Sequence, residues 1–212
     1  EMPNPASGIF VTRLMGVYQC GNPEEIGSIR SARHDYISVA KGLDAIFVGW
    51  GGSAFALAKL DAGVVDNLDC NDQGGKSASS YCFRKERSGL MRIEDTGYIK
   101  FAKIWEAAKN FGYRTESKFA GYPHQEDKAL DARPTGGHLR IGYPGIMEAE
   151  YDYDRETNSY KRTWGGVPDT DRTTKERIAP KNIVVAIAEN EQILAETNYK
   201  ARGVQDPWEG LE

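Results

Sequence analysis

The chain has 212 residues, of which 40% are hydrophobic and 27% charged, and its formal net charge is −4. This size and composition are typical of an ordinary globular protein with one large domain or two small ones. The weakly acidic balance, with Lys and Arg spread along the sequence, argues against a nucleic-acid surface or a polybasic membrane patch. In addition, no apolar run reaches the roughly 20 residues that span a bilayer.

The first 50 residues predict a strand, a helix and a second strand. Residues 8–18 are rich in β-branched and aromatic side chains, which is typical of a strand. Apolar residues then recur every three or four positions from Ile29 to Leu43, with Gly42 near the end of the pattern. This spacing predicts an amphipathic helix. Residues 44–50 form a short continuous apolar run, which is typical of a strand covered on both faces.

A second helix and a third strand follow. Ser53 can cap the N-terminus of a helix that begins at Ala54, and residues 64–68 predict a short strand after Gly63. Strands and helices that alternate at this spacing favour the α/β class. We therefore predict that residues 1–122 form an N-terminal α/β domain, with a mostly parallel sheet and helices packed on it.

The second half of the chain has a different pattern. Before the pattern changes, the strongest helix of the whole chain lies between Thr96, a candidate N-cap, and Gly112, which would end the helix. Residues 123–137 are polar and rich in turn formers, so we interpret them as a linker. Beyond them apolar and polar residues alternate around the turn DRETNS, which predicts an antiparallel hairpin, and residues 183–188 predict another strand. We expect residues 138–212 to form a β-rich antiparallel C-terminal domain that is incomplete.

Three cysteines are present. Cys70 and Cys82 flank a polar loop and could form a disulfide outside the cytoplasm. The alternative is two free, half-buried thiols, since the sequence does not show the Cα separation that a disulfide requires. A lipidation site needs a small residue before its cysteine, and Gln19 precedes Cys20. We therefore interpret Cys20 as the end of a strand.

Two chain reversals bring a basic segment near a glycine-rich turn. The candidate ligand-binding residues of this region are Arg30, Ser31, Arg33, Gly51, Gly52 and Ser53. Arginine forks bind carboxylate or phosphate groups, and on a helix positions 30 and 33 would lie on one face. A turn between a buried strand and a helix is also where open α/β sheets bind ligands. The sequence therefore predicts an anion site here, and Arg84 and Arg87 could extend its basic rim.

A plainer interpretation of the same residues stays open. The arginines could form structural ion pairs with the acidic residues nearby, and the turn could be a tight turn with a serine cap. The glycines do not form a dinucleotide-binding fingerprint, and the chain has no phosphate-binding GxxxxGK[ST] loop, so we expect no cofactor.

Other candidate chemistry is weaker. The three histidines lack metal-ligand spacing, so we expect no metal site. Acidic residues alternate from Glu148 to Asp154 and could hold Ca²⁺, but such a row is usually a solvated face, here answered by Lys161 and Arg162. No nucleophile–base pair is visible.

Six parts of the chain, over roughly residues 8–188, carry a recognisable pattern: VTRLMGVYQ, IGSIRSARHDYISVAKGLDAIFVGWGGS, GVVDNLD, CFRKERS with AAKNFGY, YDYDRETNSYKR and APKNIVVA. In sequence and in order these segments resemble the YerB family, bacterial extracytoplasmic proteins with a domain of unknown function (DUF3048) and a C-terminal partner domain. This resemblance implies a secreted cell-envelope protein with an α/β domain and a β-rich domain. The protein would be tethered to the membrane through a lipidated N-terminus that this chain does not contain.

The chain departs from the family pattern in two places. Family members carry a Pro-His-Asn motif after the FR…R segment, whereas here GLMRIED follows Ser88, so we expect no activity that depends on that motif. The family also has further strands before Glu1 and after Glu212, so both ends are expected to be truncated.

We consider three functional hypotheses. The leading one is a non-enzymatic extracytoplasmic binding or scaffold protein that holds an anionic small molecule or a cell-wall polymer. The rival is a hydrolase or transferase acting on envelope polymers, with His34, Asp35 or Asp44 as general acid or base. The third is a structural subunit in which a partner chain completes a sheet.

Overall fold

A computed structural model describes residues 2–4, 11–86, 92–142 and 148–187. The helices are α1 (His34–Gly42), α2 (Ala54–Asp61) and α3 (Phe101–Asn110). The strands are β1 (Met2–Asn4), β2 (Val11–Arg13), β3 (Glu25–Gly27), β4 (Phe47–Gly49), β5 (Asn67–Asp69), β6 (Cys82–Arg84), β7 (Gly97–Lys100), β8 (His138–Gly142), β9 (Glu148–Asp154), β10 (Ser159–Trp164) and β11 (Val167–Pro168).

The chain divides into two compact units, and the first contains Met15–Gly121. In this unit β4 and β5 pair in parallel, with α2 as the crossover between them. A three-stranded antiparallel sheet has the order β3-β7-β6. The α/β class with parallel strands and packed helices is confirmed, while the antiparallel sheet is an addition that the sequence did not predict.

The core of this unit lies between its sheets and helices. The buried cluster consists of Ile29, Leu68, Cys70, Ala78, Ile99, Phe101, Ile104 and Ala107. The side chains of Ile37 on α1 and Leu57 on α2 are also buried, which explains why the apolar spacing of these helices was visible in the sequence. The burial of such side chains stabilises the fold by about 1.5–3 kcal/mol each.

The first helix begins later than predicted. Arg33 is its N-cap residue and has an extended backbone, with φ −127° and ψ 142°. Residues 29–33 are not helical, because their backbone groups bond to other segments: the N–H of Ile29 donates to the carbonyl of Gly97, and that of Ala32 to Gly51, both at 2.8 Å. The prediction that Arg30 and Arg33 share one helix face is therefore wrong.

Two further boundaries differ from the prediction. Thr96 does not cap α3, since strand β7 intervenes; its hydroxyl instead donates to the carbonyl of Ile93 at 2.6 Å. Within residues 8–18 only Val11–Arg13 is a strand among the described positions. Cys20 lies in a bend and is exposed, so its interpretation as a strand end is wrong.

The second unit contains the described residues of Glu1–Leu14 and Tyr122–Glu189. Its sheet has the antiparallel order β11-β10-β9-β8, and β9 and β10 form the predicted hairpin with Asp154 opposite Ser159. The segment interpreted as a linker is hydrogen-bonded to this hairpin: Arg133 donates to the carbonyls of Arg155 and Glu156 at 3.0 and 2.9 Å.

The strand predicted at 183–188 is wrong for the positions that the structure describes. Residues 183–187 have no strand assignment, and the side chains of Val184 and Ile187 are 91% and 97% exposed. Residue 188 lies outside the described ranges. A β-prone sequence forms a strand only where a neighbouring strand supplies hydrogen bonds and packing.

Candidate functional site

The structure brings the basic segment and the glycine turn together, as the sequence predicts. The N–H of Trp50 donates to the carbonyl of Arg30 at 3.1 Å, and the N–H of Ser53 donates to Ala32 at 3.3 Å. Ala32 and Gly52 form a parallel bridge. The two segments are therefore joined through their backbones rather than facing each other across a cleft.

The turn already holds an anion, which is the carboxylate of Asp69. This side chain is 1% exposed, and its Oδ1 accepts hydrogen bonds from the N–H groups of Gly51 and Asn71 at 2.6 and 2.9 Å. Its Oδ2 accepts from Gln73 and Gly74 at 2.7 and 3.0 Å. The amide of Gly51, a candidate ligand donor, is therefore engaged within the protein.

Ser53 and Arg33 also have internal partners. Ser53 is fully buried, and its Oγ accepts a hydrogen bond from the N–H of Ala56 at 3.2 Å, which confirms the predicted cap of α2. Arg33 is buried, and its Nη1 donates to the carbonyl of Ala32 at 2.8 Å. Gly52 is buried against Ala32, and Ser31 is half-buried. Three of these four residues are therefore buried in the fold, and Ser31 is partly exposed at its surface.

A surface with excess positive charge lies beside this turn. Arg30 forms an ion pair with Asp95, and the Nε of Arg92 lies 3.2 Å from the same carboxylate. Although partial burial by itself raises the pKa of Asp95, its hydrogen bonds and charge interactions with Arg92 and Arg30 hold that pKa below its ordinary value. The carboxylate is therefore charged at neutral pH, where it balances one of the two arginines.

Arg84 joins the same surface from strand β6. Its Nη1 donates to the carbonyl of Ile93 at 2.6 Å and to the Oγ1 of Thr96 at 3.0 Å, so it is held on the turn that carries Asp95. Its guanidinium carbon lies 4.5 Å from the centre of the Trp50 ring, which is cation–π geometry. We call Arg30, Arg84 and Arg92 around Asp95 the cationic surface.

Trp50 is held in place from the sheet. The ring packs against Gly97, where an added Cβ would lie 2.6 Å from a ring carbon, so glycine is required at that position. Sequence reasoning missed Trp50, Arg92 and Asp95 as site residues, since only the pairing of β6 with β7 brings them next to Arg84. Arg87, the other predicted rim residue, lies outside the described residues.

Of the three candidate general acids and bases, His34 and Asp35 contact each other, whereas Asp44 lies apart from them. Asp44 forms an ion pair with Arg114 through both of its carboxylate oxygens. The hydrogen bonds from Arg114 lower the pKa of Asp44 most, and the hydrogen bond from the N–H of Lys118 lowers it further. The Nε2 of His34 lies 3.1 Å from Asp35, and the His34 side chain is buried. His34 and Asp44 flank the two ends of α1, about 15 Å apart at 1.5 Å per residue.

The acidic row on β9 is paired with bases. Glu148 binds Arg140, with one contact of 2.9 Å, Asp152 contacts the Nδ1 of His138 at 2.7 Å, and Asp154 contacts Lys161 at 2.5 Å. The expectation that Arg162 answers this row is wrong, because Arg162 is buried and pairs with Asp169. Within the described ranges, no group of His, Cys, Asp or Glu side chains is arranged to hold a metal ion.

The two loop cysteines form a disulfide. Cys70 and Cys82 are bonded, with their Cα atoms 5.7 Å apart, so the alternative of two free thiols does not apply. The described parts of the chain contain no helix with the length and apolar character needed to cross a bilayer.

Comparisons with known proteins find a matching family and a relative of this chain. Residues 5–114 match the family described as "Protein of unknown function (DUF3048) N-terminal domain", and residues 139–206 match the corresponding C-terminal domain. A curated relative, "Putative lipoprotein YerB" of Bacillus subtilis (strain 168), is 30% identical over 182 residues. These residues are 84% of this chain and 52% of the relative, so the chain spans about half the relative's length.

A solved structure is similar as well. The crystal structure of the YerB protein from Bacillus subtilis matches with a TM-score of 0.65 and 26% sequence identity. The match covers 84% of this chain and 57% of the solved chain.

Proposed function

Because this chain belongs to the YerB-like DUF3048 family, we propose that it is a non-enzymatic, extracytoplasmic cell-envelope protein that binds an anionic group. The group would belong to a wall polymer or a small molecule. The observation that supports this proposal is the cationic surface, where Arg30 and Arg92 both contact the carboxylate of Asp95 and Arg84 is hydrogen-bonded to the same turn. Arginine binds carboxylate and phosphate oxygens with two parallel hydrogen bonds, which suits such a ligand.

The proposed site is shifted from the turn to the surface beside it. Gly51 and Ser53 donate to and accept from groups inside the protein, so in this proposal they position Trp50 rather than bind ligand. Arg84 is exposed, and the side chain of Arg30 is 27% exposed. Both can reach a bound anion while they keep their present contacts, because a guanidinium group has five N–H donors.

The proposed location has two supports. The relative in Bacillus subtilis carries the name "Putative lipoprotein YerB", and lipoproteins are anchored outside the cytoplasm. The Cys70–Cys82 disulfide is of the kind that forms and persists in oxidising compartments. We propose that the protein is tethered to the membrane in the cell envelope.

Binding of inorganic pyrophosphate, measured by isothermal titration calorimetry, tests this proposal. We expect the double variant Arg30→Ala, Arg84→Ala to lose at least about tenfold in affinity, since one charge-assisted hydrogen bond contributes about 1.5–3 kcal/mol and 1.4 kcal/mol is a factor of ten. Arg33 is unsuitable for this test because it is buried and its loss would disturb the fold.

A matched control removes the same charge elsewhere. Arg140→Ala with Lys161→Ala also lowers the net charge by two, but these residues pair with the acidic row of β9. Equal weakening by both double variants, or unchanged binding in the Arg30, Arg84 variant, would refute the proposed site.

A further inference from the structure

The Cys70–Cys82 disulfide links the two sheets that carry the cationic surface and its tryptophan. Cys70 follows the parallel strand β5, and its N–H donates to the carbonyl of Gly49, one residue before Trp50, at 2.8 Å. Cys82 is the first residue of β6, which ends at Arg84 in the antiparallel sheet. The bridge is therefore a covalent connection between the strand next to Trp50 and the strand that carries Arg84.

The two ends of this connection meet again at the ring of Trp50. On one side, Asp69 holds the N–H of Gly51, which follows Trp50, and Cys70 follows Asp69. On the other side, Arg84 lies two residues beyond Cys82 and places its guanidinium over that ring. Covalent bonds, hydrogen bonds and the cation–π contact thus form a closed ring of constraints that sets where Arg84 stands relative to Trp50.

The loop between the cysteines has other ties. The carboxylate of Asp69 binds the amides of Asn71, Gln73 and Gly74. Asp72 accepts hydrogen bonds from the Oγ of Ser77 at 2.6 Å and from the N–H of Ser79 at 3.2 Å. Because these contacts do not pass through the sulfur atoms, the loop can stay folded when the bridge opens.

Arg84 also keeps contacts that do not depend on the bridge. Its bonds to Ile93 and Thr96 and its pairing with Gly97 all belong to the antiparallel sheet and the turn before it. Loss of the bridge removes the covalent tie between β6 and β5. The position of Arg84 beside Trp50 then depends on non-covalent contacts, which are the packing of the ring on Gly97 and the cation–π contact itself.

We propose that the Cys70–Cys82 disulfide is a redox-sensitive positioning element for the anion site, and this inference rests on the proposed function. The oxidised form holds Arg84 over Trp50 and favours anion binding. A dithiol reductant lowers the affinity by opening the bridge.

The reduction is a two-electron thiol–disulfide exchange. A thiolate of the dithiol attacks Cys82, which is half-buried, whereas Cys70 is 2% exposed. The S–S bond breaks, the sulfur of Cys70 leaves as a thiolate and takes a proton, and a mixed disulfide forms at Cys82. The second thiol of the reductant then displaces the sulfur of Cys82, which also takes a proton, and the reductant leaves as a disulfide.

The experiment uses the full chain with Cys20→Ser, because the exposed thiol of Cys20 could otherwise exchange with the bridge. Pyrophosphate affinity is measured for the oxidised protein, for the protein reduced with dithiothreitol, and for Cys70→Ser with Cys82→Ser. We expect the reduced protein and the double variant to bind at least tenfold more weakly, with unchanged far-ultraviolet circular dichroism. Reoxidation should restore the affinity of the reduced protein and leave that of the double variant unchanged.

Two results would overturn the proposal. Equal affinities in all three samples would show that the bridge does not position Arg84. Loss of the far-ultraviolet signal on reduction would show that the bridge is a structural staple rather than a positioning element.

A spectroscopic readout separates this inference from the proposed function. If the oxidised protein does not bind pyrophosphate, the proposed function fails, but reduction should still change the sharp tryptophan fine structure of the near-ultraviolet circular dichroism, which is distinct from the broad band of the disulfide itself. We expect this change to disappear in Trp50→Phe and in Arg84→Ala. A change that persists in Arg84→Ala would refute the positioning role whatever the binding result.

Discussion

At the scale of single residues, one buried carboxylate organises the neighbourhood of the site. Asp69 binds four backbone amides from two separate segments, so it ties the turn after β4 to the loop after β5. Anion binding by successive backbone amides is a common property of such turns. In this protein an internal side chain satisfies it, so the proposed function assigns external anions to the arginine side chains.

We predict that Asp69→Ala lowers the free energy of unfolding by at least about 3 kcal/mol, because buried amides lose a charged partner. Urea denaturation followed by circular dichroism measures this loss. Asp72→Ala is a matched control in the same loop. We expect a smaller loss of unfolding free energy for this variant, since the hydrogen bonds that Asp72 accepts are exposed to solvent. Equal losses in the two variants would contradict the organising role of Asp69.

The sequence identified part of the site at this scale. It located the segment Arg30–Arg33 and the turn at Gly51, whose meeting depends on the order of strand, helix and strand. It did not identify Asp95 as the partner of Arg30, since the two residues are 65 positions apart and meet only through tertiary packing. Nor could it show that Asp69 occupies the turn, because an aspartate after a strand has no distinctive pattern.

At the scale of elements, the residue at which a helix begins depends on whether the backbone groups before it form hydrogen bonds within the helix or with another segment. Residues 29–33 have helical spacing in the sequence, yet they pair with Gly97 and Gly51, so α1 begins at His34. The α2 boundary was predictable because its cap is local: Ser53 and Ala56 are three residues apart. The local cap at Ser53 was read correctly from the sequence, whereas the cap predicted at Thr96 and the long-range backbone pairing of residues 29–33 were not.

We predict that Ser53→Ala lowers the free energy of unfolding by about 1 kcal/mol, since it removes the acceptor for the N–H of Ala56. The variant can be compared by urea denaturation with Ser38→Ala, whose hydroxyl makes a 3.4 Å contact on the surface of α1. A loss for Ser53→Ala no larger than that for Ser38→Ala would argue against the cap.

The ion pair between Asp44, which follows α1, and Arg114 makes a pH-dependent contribution to the stability of the protein. Arg114, and then the amide of Lys118, lower the pKa of Asp44 below its ordinary value of 3.8. A carboxyl with a lowered folded pKa stabilises the protein above the unfolded pKa, and this contribution is lost as the pH falls through the folded pKa. We therefore predict that Arg114→Ala is less stable than the wild type at pH 7, and that the difference shrinks below about pH 4. Urea denaturation at several pH values measures it, and a difference independent of pH would contradict this account.

At the scale of the whole molecule, two units of different architecture share one chain. One is α/β with a short parallel pair, and the other is an antiparallel sheet with an apolar segment beside it. The change of apolar period beyond residue 137 was enough to predict the second architecture. The conformation of residues 183–187 was not predictable, because a segment forms a strand only beside another strand, and its own sequence does not show whether that neighbour is present.

We predict that the exposed apolar segment 183–187 pairs with a strand of another chain, and that a second copy is its partner in purified samples. Exposed β-branched side chains such as Val184 and Ile187 favour such pairing. Light scattering coupled to size-exclusion chromatography should show concentration-dependent association, which Val184→Asp with Ile187→Asp abolishes. The same substitutions at Val17 and Val39, two exposed valines, are the control. A monomer at every concentration would contradict the prediction.

The central claim is that anions bind at the cationic surface, and nuclear magnetic resonance of the arginine Nε–H groups during a pyrophosphate titration tests it most directly. We predict saturable shifts with one dissociation constant for Arg30, Arg84 and Arg92, and none for Arg140 or Arg155. Saturable shifts at the reference arginines instead, or no saturable shift at any of the five, would contradict the claim.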